Sequence, residues 1–410
     1  MAADPRSRHA SDGVTVFDDE AQAQVNAQAQ VRVQRILTRA VAKHRGPAPL
    51  LAVVHSPSLG VDVTIGEPGM AFHAASVGKL ATGALIMRLA ERGALDLDAP
   101  VTEVLGAATM RGLCVVGRHD GVGGRGPGSH DHGADVTARQ LLGHMSGIPD
   151  AFSGRARGAR TLSQQSIDDP GRRWSVDDVL DHTRQYQRAS AAPGERFGYS
   201  DTGFALLSML IASIERRPFT SVVDDQLLQP LGLTQSWMPT VTAMPNTVTA
   251  LAPVMLGGTD LSAAESLSID SLGGGGIAFA PRDLAVFVEA LYAGRIVSHE
   301  SLTAMTTTPN RFRTGLRYGL ATMRVRFGEF SPFLRKLPDA TGHLGVTAAH
   351  AWRIEALDAT IVLSLGSDRA MTRSFRLLID IFRALASASQ STTVLEPSHH
   401  HHPHRSSHVV

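Results

Sequence analysis

The sequence predicts a mixed α/β fold of the α+β kind. Two apolar runs of strand length, 50–54 and 61–65, lie near the start of the chain, and two more, 348–354 and 360–365, lie near its end. The region between about 101 and 239 instead has the texture of helices and loops. A chain of 410 residues with 43% hydrophobic residues is long enough for a large core, which we expect to be divided between two lobes.

The N-terminal elements follow from local patterning. Residues 1–24 are polar and partly acidic and are predicted to be disordered, whereas Val25 to Lys43 has helical apolar spacing. The first two apolar runs flank the turn at 56–60 and predict a hairpin. A helix then begins near Lys79 and is stopped by Gly93 and Pro100.

The remaining elements are read in the same way. Segments 175–186 and 204–214 are predicted to be helices, and 117–133 and 154–171 to be exposed loops. Another helix has Pro281 in its first turn and Gly294 just past its end. A final amphipathic helix covers 374–385, and residues 391–410 form a His-rich tail that is predicted to be disordered.

Composition excludes several classes of function. The net charge of +1 gives no reason to expect a nucleic-acid partner, and no apolar run approaches the roughly 20 residues needed to span a bilayer. The N-terminus lacks the apolar core of a secretory signal, and the single Cys114 cannot form an intrachain disulfide. We therefore expect a cytoplasmic protein that is not inserted in a membrane.

The use of lysine points to a first candidate site. Only three lysines occur, and one of them, Lys79, stands three residues after Ser76. At that spacing on a helix both side chains share one face, and a desolvated lysine can accept a proton from a serine hydroxyl, whereas arginine cannot. Apolar neighbours favour this interpretation over a capping serine and a solvated lysine, so Ser76 is the candidate nucleophile.

A second candidate lies in the segment 193–202, just before an apolar helix. Its Tyr199 is one of four tyrosines, and a phenol beside a lysine can act as base and then as acid. The alternative is structural, with Tyr199 as a core hydroxyl and Asp201 or Thr202 as the helix N-cap.

A third candidate is the segment 341–346 at the entrance to an apolar strand. Glycines such as Gly345 let a backbone approach a substrate, and an edge strand offers N–H and C=O groups to an acyl chain. His343 supplies a donor there; the alternative is a histidine in a turn at the strand start.

These segments, in this order, resemble the penicillin-recognising serine hydrolases, namely class C β-lactamases, DD-peptidases and β-lactamase-like esterases. Ser-x-x-Lys, Tyr-Ser-Asp and His-x-Gly match that family's catalytic motifs, and two flanking segments look like its Leu-Leu-x-His-Thr-Ser-Gly-Leu and Pro-Leu-Gly-Met: 141–148 and 229–233. The resemblance covers roughly residues 50 to 385.

The resemblance implies a fold and a set of roles. The fold would be a mostly antiparallel sheet flanked by helices, formed by 25–100 and 241–390, with an all-helical lobe inserted at 101–240 and the site between the lobes. Ser76 would be acylated while Lys79 and Tyr199 handle its proton. The N–H groups of Ser76 and Val346 would form the oxyanion hole. His343 would stand where many members have the lysine of a Lys-Thr-Gly box and would face the substrate as a donor.

Departures from the family pattern set the expected substrate. Many members that process lactams or peptides have Asn two places after the tyrosine, where its amide binds the substrate; this chain has Asp201. We therefore expect a small ester as substrate and no cofactor. The alternative is a lactam or amide substrate, that is, a β-lactamase or a D-amino-acid peptidase or amidase. A second alternative is a scaffold that has lost catalysis and serves in binding or assembly. The oligomeric state is left open.

The remaining motifs receive structural interpretations. No neighbouring Cys or Glu completes a ligand set around His119, His130 and His132, so we expect a solvated loop and no metal. The tail histidines, 399–402 and 404, resemble a purification tag. The glycine run 273–276 lacks the Lys-Ser/Thr of a phosphate loop and is predicted to be a flexible turn near the site.

Overall fold

The fold is described by a computed structural model that covers residues 12–117 and 128–395. Its strands, in chain order, are β1 Leu51–Ser56, β2 Val61–Ile65, β3 Met70–His73, β4 Val115–Val116, β5 His130–Asp131, β6 Ala250–Leu251, β7 Met255–Leu256, β8 Thr259–Asp260, β9 Ala278–Phe279, β10 Asn310–Arg313, β11 Leu316–Tyr318, β12 Met323–Val325, β13 Ala340–Gly345, β14 Ala349–Ile354 and β15 Ala359–Ser364.

One antiparallel sheet of eight strands organises the molecule. Its order is β10-β11-β12-β13-β14-β15-β1-β2, so strands from the two ends of the chain meet where β1 pairs with β15. The predicted N-terminal hairpin is β1–β2, and the two late apolar runs are β14 and β15. The predicted class, an α+β fold with a mostly antiparallel sheet, is confirmed.

Helices cover the sheet and fill the middle of the chain. They are α1 Asp12–Lys43, α2 Lys79–Glu91, α3 Thr102–Leu105, α4 Ala107–Met110, α5 Ala138–Leu142, α6 Leu162–Asp168, α7 Val176–Tyr186, α8 Asp201–Glu215, α9 Phe219–Val223, α10 Pro281–Tyr292, α11 His299–Thr306, α12 Phe327–Phe330 and α13 Met371–Leu395. The predicted helices at 175–186, 204–214 and 281–294 correspond to α7, α8 and α10.

Alternation along the strands creates two cores. On β1, Ala52 and Val54 face a core with α1 and α13, whereas Leu51 and Val53 face a core shared with α2, α8 and α10. Successive strand side chains point to opposite faces, so a sheet that is buried on both faces needs apolar residues at nearly every position. β15 is buried along its whole length and meets this requirement.

Both chain ends differ from the predicted boundaries. α1 begins at Asp12, inside the segment 1–24 that was predicted to be disordered, and its Ala- and Gln-rich stretch 21–30 has high helix propensity. α13 continues past 391 to Leu395. Residues 1–11 and 396–410, with the tail histidines, lie outside the described residues.

The middle segment 101–240 contains α3 to α9, but it is not purely helical. β4 and β5 form a short antiparallel ladder in it, with Val116 opposite His130. The Asp131 carboxylate stabilises this turn by accepting from the N–H groups of Gly112 and Gly133. The division of the chain into two lobes stays a prediction.

None of the helices in residues 12–117 and 128–395 is both long enough and apolar enough to cross a membrane.

Candidate active site

Ser76 and Lys79 meet at the start of α2. Ser76 lies in a short 3₁₀ helix, Ala75–Gly78, which leads directly into α2, and Lys79 is the first residue of α2. This turn places both side chains on one face, with Lys79 Nζ 3.2 Å from Ser76 Oγ. Lys79 is completely buried, so its ammonium must find all its hydrogen-bond partners inside the protein.

Lys79 Nζ has three acceptors. In addition to Ser76 Oγ, it donates to the carbonyl oxygen of Gly274 at 2.6 Å and forms an ion pair with Asp201. An ammonium has three N–H bonds, so this set accounts for all of them. In this arrangement Lys79 donates to Ser76, and it can accept the serine proton only after it has passed one of its own protons elsewhere.

The glycine run is part of the site. The segment 273–276 packs against the start of α2 so closely that a Cβ on Gly78 would lie 2.1 Å from the oxygen of Gly275. The carbonyl of Gly273 accepts from Thr82, and that of Gly274 accepts from Lys79. The run was correctly predicted to lie near the site, but these contacts hold it against α2, which differs from the flexible turn that was predicted.

Tyr199 completes the predicted catalytic group. Its ring lies 5.2 Å from Lys79 Nζ. Its buried hydroxyl faces Ser76, although it makes no hydrogen bond of ordinary geometry with any residue in 12–117 and 128–395. Burial, and then the charge of Asp201, raise the pKa of Tyr199 well above its usual value, so the phenol keeps its proton. This favours Tyr199 as a proton donor and argues against the phenolate that was considered from the sequence.

His144 holds the segment that carries Tyr199. Its Nδ1 accepts from the N–H of Ser200 at 3.1 Å, its carbonyl accepts from Gly198, and its ring packs on that of Tyr199 with centroids 4.1 Å apart. Burial, and then Lys79, lower the pKa of His144 well below its usual range, so the ring is neutral and can accept. Ser200, rather than Asp201 or Thr202, is the N-cap of α8.

Asp201 and Asp150 form a carboxylate pair behind the nucleophile. The Asp150 side chain accepts from the N–H groups of Phe152, Ser153 and Asp201 and from Ser153 Oγ. Burial, and then the charge of Asp201, raise the pKa of Asp150 to about 6. Asp150 thus fixes the start of α8, and α8 in turn presents Asp201 to Lys79.

His343 lies behind the cleft. Its ring is fully buried, and its Nε2 pairs with the hydroxyl of Tyr318 at 3.0 Å. Burial, and then Lys79, lower the pKa of His343 to about 3, so it is neutral. The sequence predicted a donor that faces the substrate; the structure instead places the ring against Tyr318, because the side chain of β13 that points into the cleft here is that of Leu344.

Gly345 and Val346 reach the cleft. A Cβ on Gly345 would lie 2.7 Å from the carbonyl oxygen of Ala74, so glycine lets the end of β13 approach the nucleophile segment. Val346 follows β13 with 52% of its surface exposed. The predicted oxyanion residues Ser76 and Val346 line the same cavity.

The cavity has a volume of about 420 Å³ and opens to solvent. The predicted residues Ser76, Tyr199, Asp201, Gly345 and Val346 line it, together with apolar side chains and two carboxylates that sequence reasoning missed, Asp150 and Asp270. Their positions carried some signal, since Asp150 follows the motif at 141–148 and Asp270 precedes the glycine run. Neither residue type is distinctive without the fold.

A separate cluster occurs at β5. The side chains of His130, His132 and Asp135 bring their ligand atoms within 4.8 Å of one another, and His132 Nδ1 lies 3.4 Å from Asp135. Asp135 supplies the carboxylate that was not recognised beside these histidines. The cluster is largely exposed, as are many polar clusters without an ion, and we keep the interpretation as a solvated surface. His119 lies outside the described residues.

The family model described as Beta-lactamase matches residues 33–376. Among curated proteins, the chain is similar to Protein flp of Staphylococcus aureus, with 25% identity over 170 residues. That match covers 42% of this chain but only 28% of Protein flp.

Solved structures with similar folds cover more of the chain. A D-stereospecific amidohydrolase from Streptomyces sp. has a TM-score of 0.65 and 25% identity over 83% of this chain and 94% of its own. The D-amino acid amidase from Ochrobactrum anthropi SV3, solved with L-phenylalanine amide, has a TM-score of 0.69 and 20% identity over 88% of this chain and 99% of its own.

Proposed function

The chain belongs to the β-lactamase family, and on that premise we propose that it hydrolyses a small amide of an amino acid through an acyl-enzyme on Ser76. The observation that carries the proposal is the 3.2 Å contact between Lys79 Nζ and Ser76 Oγ at the wall of an open cavity. A serine with a positioned lysine partner is the arrangement that acyl transfer requires.

The proposed proton path begins at the ion pair. The ammonium of Lys79 passes a proton to the Asp201 carboxylate, and the resulting amine accepts the proton of Ser76 as Oγ bonds to the substrate carbonyl carbon. The developing oxyanion is bound by the N–H groups of Ser76 and Val346. The neutral Tyr199 then protonates the leaving group as its bond to carbon breaks, and Lys79 restores the proton of Tyr199. In the second half of the reaction, neutral Lys79 takes a proton from a water molecule whose oxygen bonds to the acyl carbon, and it returns that proton to Ser76 Oγ as the bond between Oγ and the acyl carbon breaks. Asp201 then gives its proton back to Lys79.

Two observations bear on the leaving group. The name of the D-stereospecific amidohydrolase, which is 25% identical to this chain, supports an amide substrate; the D-amino acid amidase, at 20% identity, supports the fold alone. An ester is the second candidate, because Asp201 stands where many amide-processing members have Asn and cannot donate an amide N–H to the substrate.

Labelling of Ser76 tests the proposed nucleophile. A fluorophosphonate should add one adduct to the parent protein, detected by intact mass, and none to Ser76→Ala. The fold should survive this substitution, since Ser76 caps neither the 3₁₀ helix nor α2 and the loss of one acceptor for Lys79 costs about 1–3 kcal/mol. Equal labelling of both proteins would show that Ser76 is not the nucleophile, whereas a folded parent that does not label would favour the inactive binding protein.

A substrate panel then separates the candidates. Phenylalanine amide and phenylalanine p-nitroanilide, each in D and L forms, are compared with a p-nitrophenyl ester and a chromogenic cephalosporin. Faster turnover of the ester than of every amide, by kcat/KM, would replace the amide proposal with the ester.

A further inference from the structure

We propose that Asp270 binds a positively charged amino group of the substrate, so that the cleft selects compounds that carry a free amine near the carbonyl attacked by Ser76. This inference rests on the proposed function, because it assigns a substrate feature to the same cavity. Asp270 is not among the residues predicted from the family motifs.

Asp270 lies at the junction of two site elements. It follows the 3₁₀ helix Glu265–Ile269 and precedes the glycine run, and its backbone carbonyl accepts from the N–H of Gly275. The carbonyl that binds Lys79, that of Gly274, belongs to the same loop. The carboxylate therefore lines the cavity beside the catalytic lysine, with 24% of the side chain exposed.

The nearest titratable side chain does not neutralise it. His73 Nδ1 lies 3.7 Å from an Asp270 oxygen, but this nitrogen accepts the N–H of Ala75 at 3.2 Å. A ring nitrogen that accepts a hydrogen bond carries no proton to donate to a carboxylate. Burial lowers the pKa of His73 more than the nearby charge of Asp270 raises it, so the neutral ring is favoured, and its Nδ1 donates no hydrogen bond to Asp270.

Two other charged residues near the cleft already have partners. Lys79 uses its three N–H bonds on Ser76, Gly274 and Asp201, and Asp150 is satisfied by four donors. Arg313 also lines the cavity, but it is an exposed residue whose guanidinium lies over the ring of Phe312.

Asp270 is thus a carboxylate whose side chain receives no hydrogen bond from any of the residues in 12–117 and 128–395. The partly buried carboxylate has lost much of its contact with water and gains no donor in return, and burial accordingly raises the pKa of Asp270. A bound ammonium would provide both the missing charge and N–H donors in the form of a charge-assisted hydrogen bond. The ligand chemistry that fits this position is therefore a primary amine in its protonated form.

Such an amine has two possible sources, the α-amino group of an amino-acid derivative and the side chain of a lysine derivative. Three p-nitroanilides separate them: that of phenylalanine, that of 3-phenylpropionic acid, which lacks the amine, and that of Nα-acetyl-lysine, which has only the side-chain amine. Each amino-acid compound is used in D and L forms. The measured quantity is the ratio of kcat/KM between an amine-bearing compound and the amine-free one.

We expect the parent to hydrolyse an amine-bearing compound with a higher kcat/KM than the amine-free one. In Asp270→Asn this ratio should fall by about 10- to 100-fold, mainly through a higher KM, because one hydrogen bond to a charged group is lost. Glu103→Gln removes an equal charge from an exposed position on α3 and should leave the ratio unchanged. A ratio in Asp270→Asn equal to that of the parent would overturn the inference.

A measurement on the parent alone guards against a variant that does not fold. Phenylalaninol should slow fluorophosphonate labelling of Ser76 at concentrations where 3-phenyl-1-propanol, its amine-free counterpart, does not. Equal protection by the two alcohols would reject the amine site while leaving Ser76 as nucleophile. Absence of labelling would instead remove the proposed function, so the two failures are distinguishable.

Discussion

One contact of Lys79 could be predicted from the sequence, and its other two could not. Its identity and its spacing from Ser76 are visible in the sequence, because i and i+3 on a helix share a face. Its other two acceptors are not visible, because the carbonyl of Gly274 and the carboxylate of Asp201 come from distant parts of the chain. The same limit applies to Asp150 and Asp270, which become site residues only when the fold brings them to the cavity.

His343 shows the limit of motif reasoning at this scale. The motif placed His343 at the entrance to an apolar strand, whereas the structure places it within β13 itself. The direction of the ring depends on the register of β13 and on a partner, Tyr318, which lies on β11 and is not adjacent to it in sequence. A histidine in the same motif can therefore face the substrate or pair with a buried phenol.

Replacement of Lys79 by Arg should be nearly as damaging as replacement by Ala. Arginine keeps the charge, but its pKa exceeds about 12, so it cannot hand a proton to Asp201 and then accept one from Ser76. The measurement is kcat on the best substrate of the panel. A Lys79→Arg enzyme that retains more than about a tenth of parental kcat, a barrier change under roughly 1.4 kcal/mol, would remove proton transfer by Lys79 from the mechanism.

That comparison needs a folding control, because the guanidinium is larger than the ammonium it replaces in a fully buried position. Thermal unfolding and KM should therefore stay near parental values before a loss of kcat is assigned to chemistry.

At the scale of elements, the contact between the glycine run and α2 positions the lysine. A Cβ on Gly275 would lie 2.0 Å from the carbonyl oxygen of Ala75, the residue before the nucleophile. The sequence showed the run of glycines and its nearness to the site, since glycine permits close backbone approach. It could not show which backbone approaches, because that partner lies about 200 residues away along the chain.

Gly275→Ala should therefore separate the loop from α2. We expect loss of the contact between Gly274 and Lys79, a lower midpoint of thermal unfolding and a kcat reduced by at least about tenfold, since small displacements of reacting groups are expensive. The matched control is Gly171→Ala, whose Cβ would have only an ordinary contact of 3.6 Å with the Asp169 side chain. Parental activity and stability in Gly275→Ala would show that the close approach does not position Lys79.

At the scale of the whole molecule, the order of apolar runs predicted the class of the fold. Strand-length apolar runs revealed β1, β14 and β15 near the centre of the sheet, and period-two alternation revealed the edge strand β2. The short strands β10 to β12 escaped prediction, since runs of three or four residues give little periodic signal. Sheet order comes from long-range pairing; the family resemblance implied a mostly antiparallel sheet but not its strand order.

Burial of neutral histidines should make the folded state sensitive to acid. His73, His144, His182, His343 and His350 lie in the interior, and burial lowers the pKa of each; those of His343 and His350 fall to about 3. In the unfolded chain a histidine takes up a proton near about pH 6.5. Their contribution to stability is therefore present above that pH and is lost as the pH falls below it, because only the unfolded state gains the protons.

Three carboxylates oppose this trend. Burial raises the pKa of Asp270 and Asp283, and that of Asp150 to about 6, so the folded state takes up protons there before the unfolded state does. With five histidines of lowered pKa against three carboxylates of raised pKa, the unfolded state gains more protons on acidification below about pH 6, and the free energy of unfolding should fall. Urea unfolding between about pH 7 and about pH 5 measures this slope. His350→Gln should reduce the slope of the free energy of unfolding against pH by the equivalent of about one proton. The control His299→Gln, at an exposed position on α11, should leave the slope unchanged. A slope that is already flat in the parent would contradict the assignment of these histidines as buried and neutral.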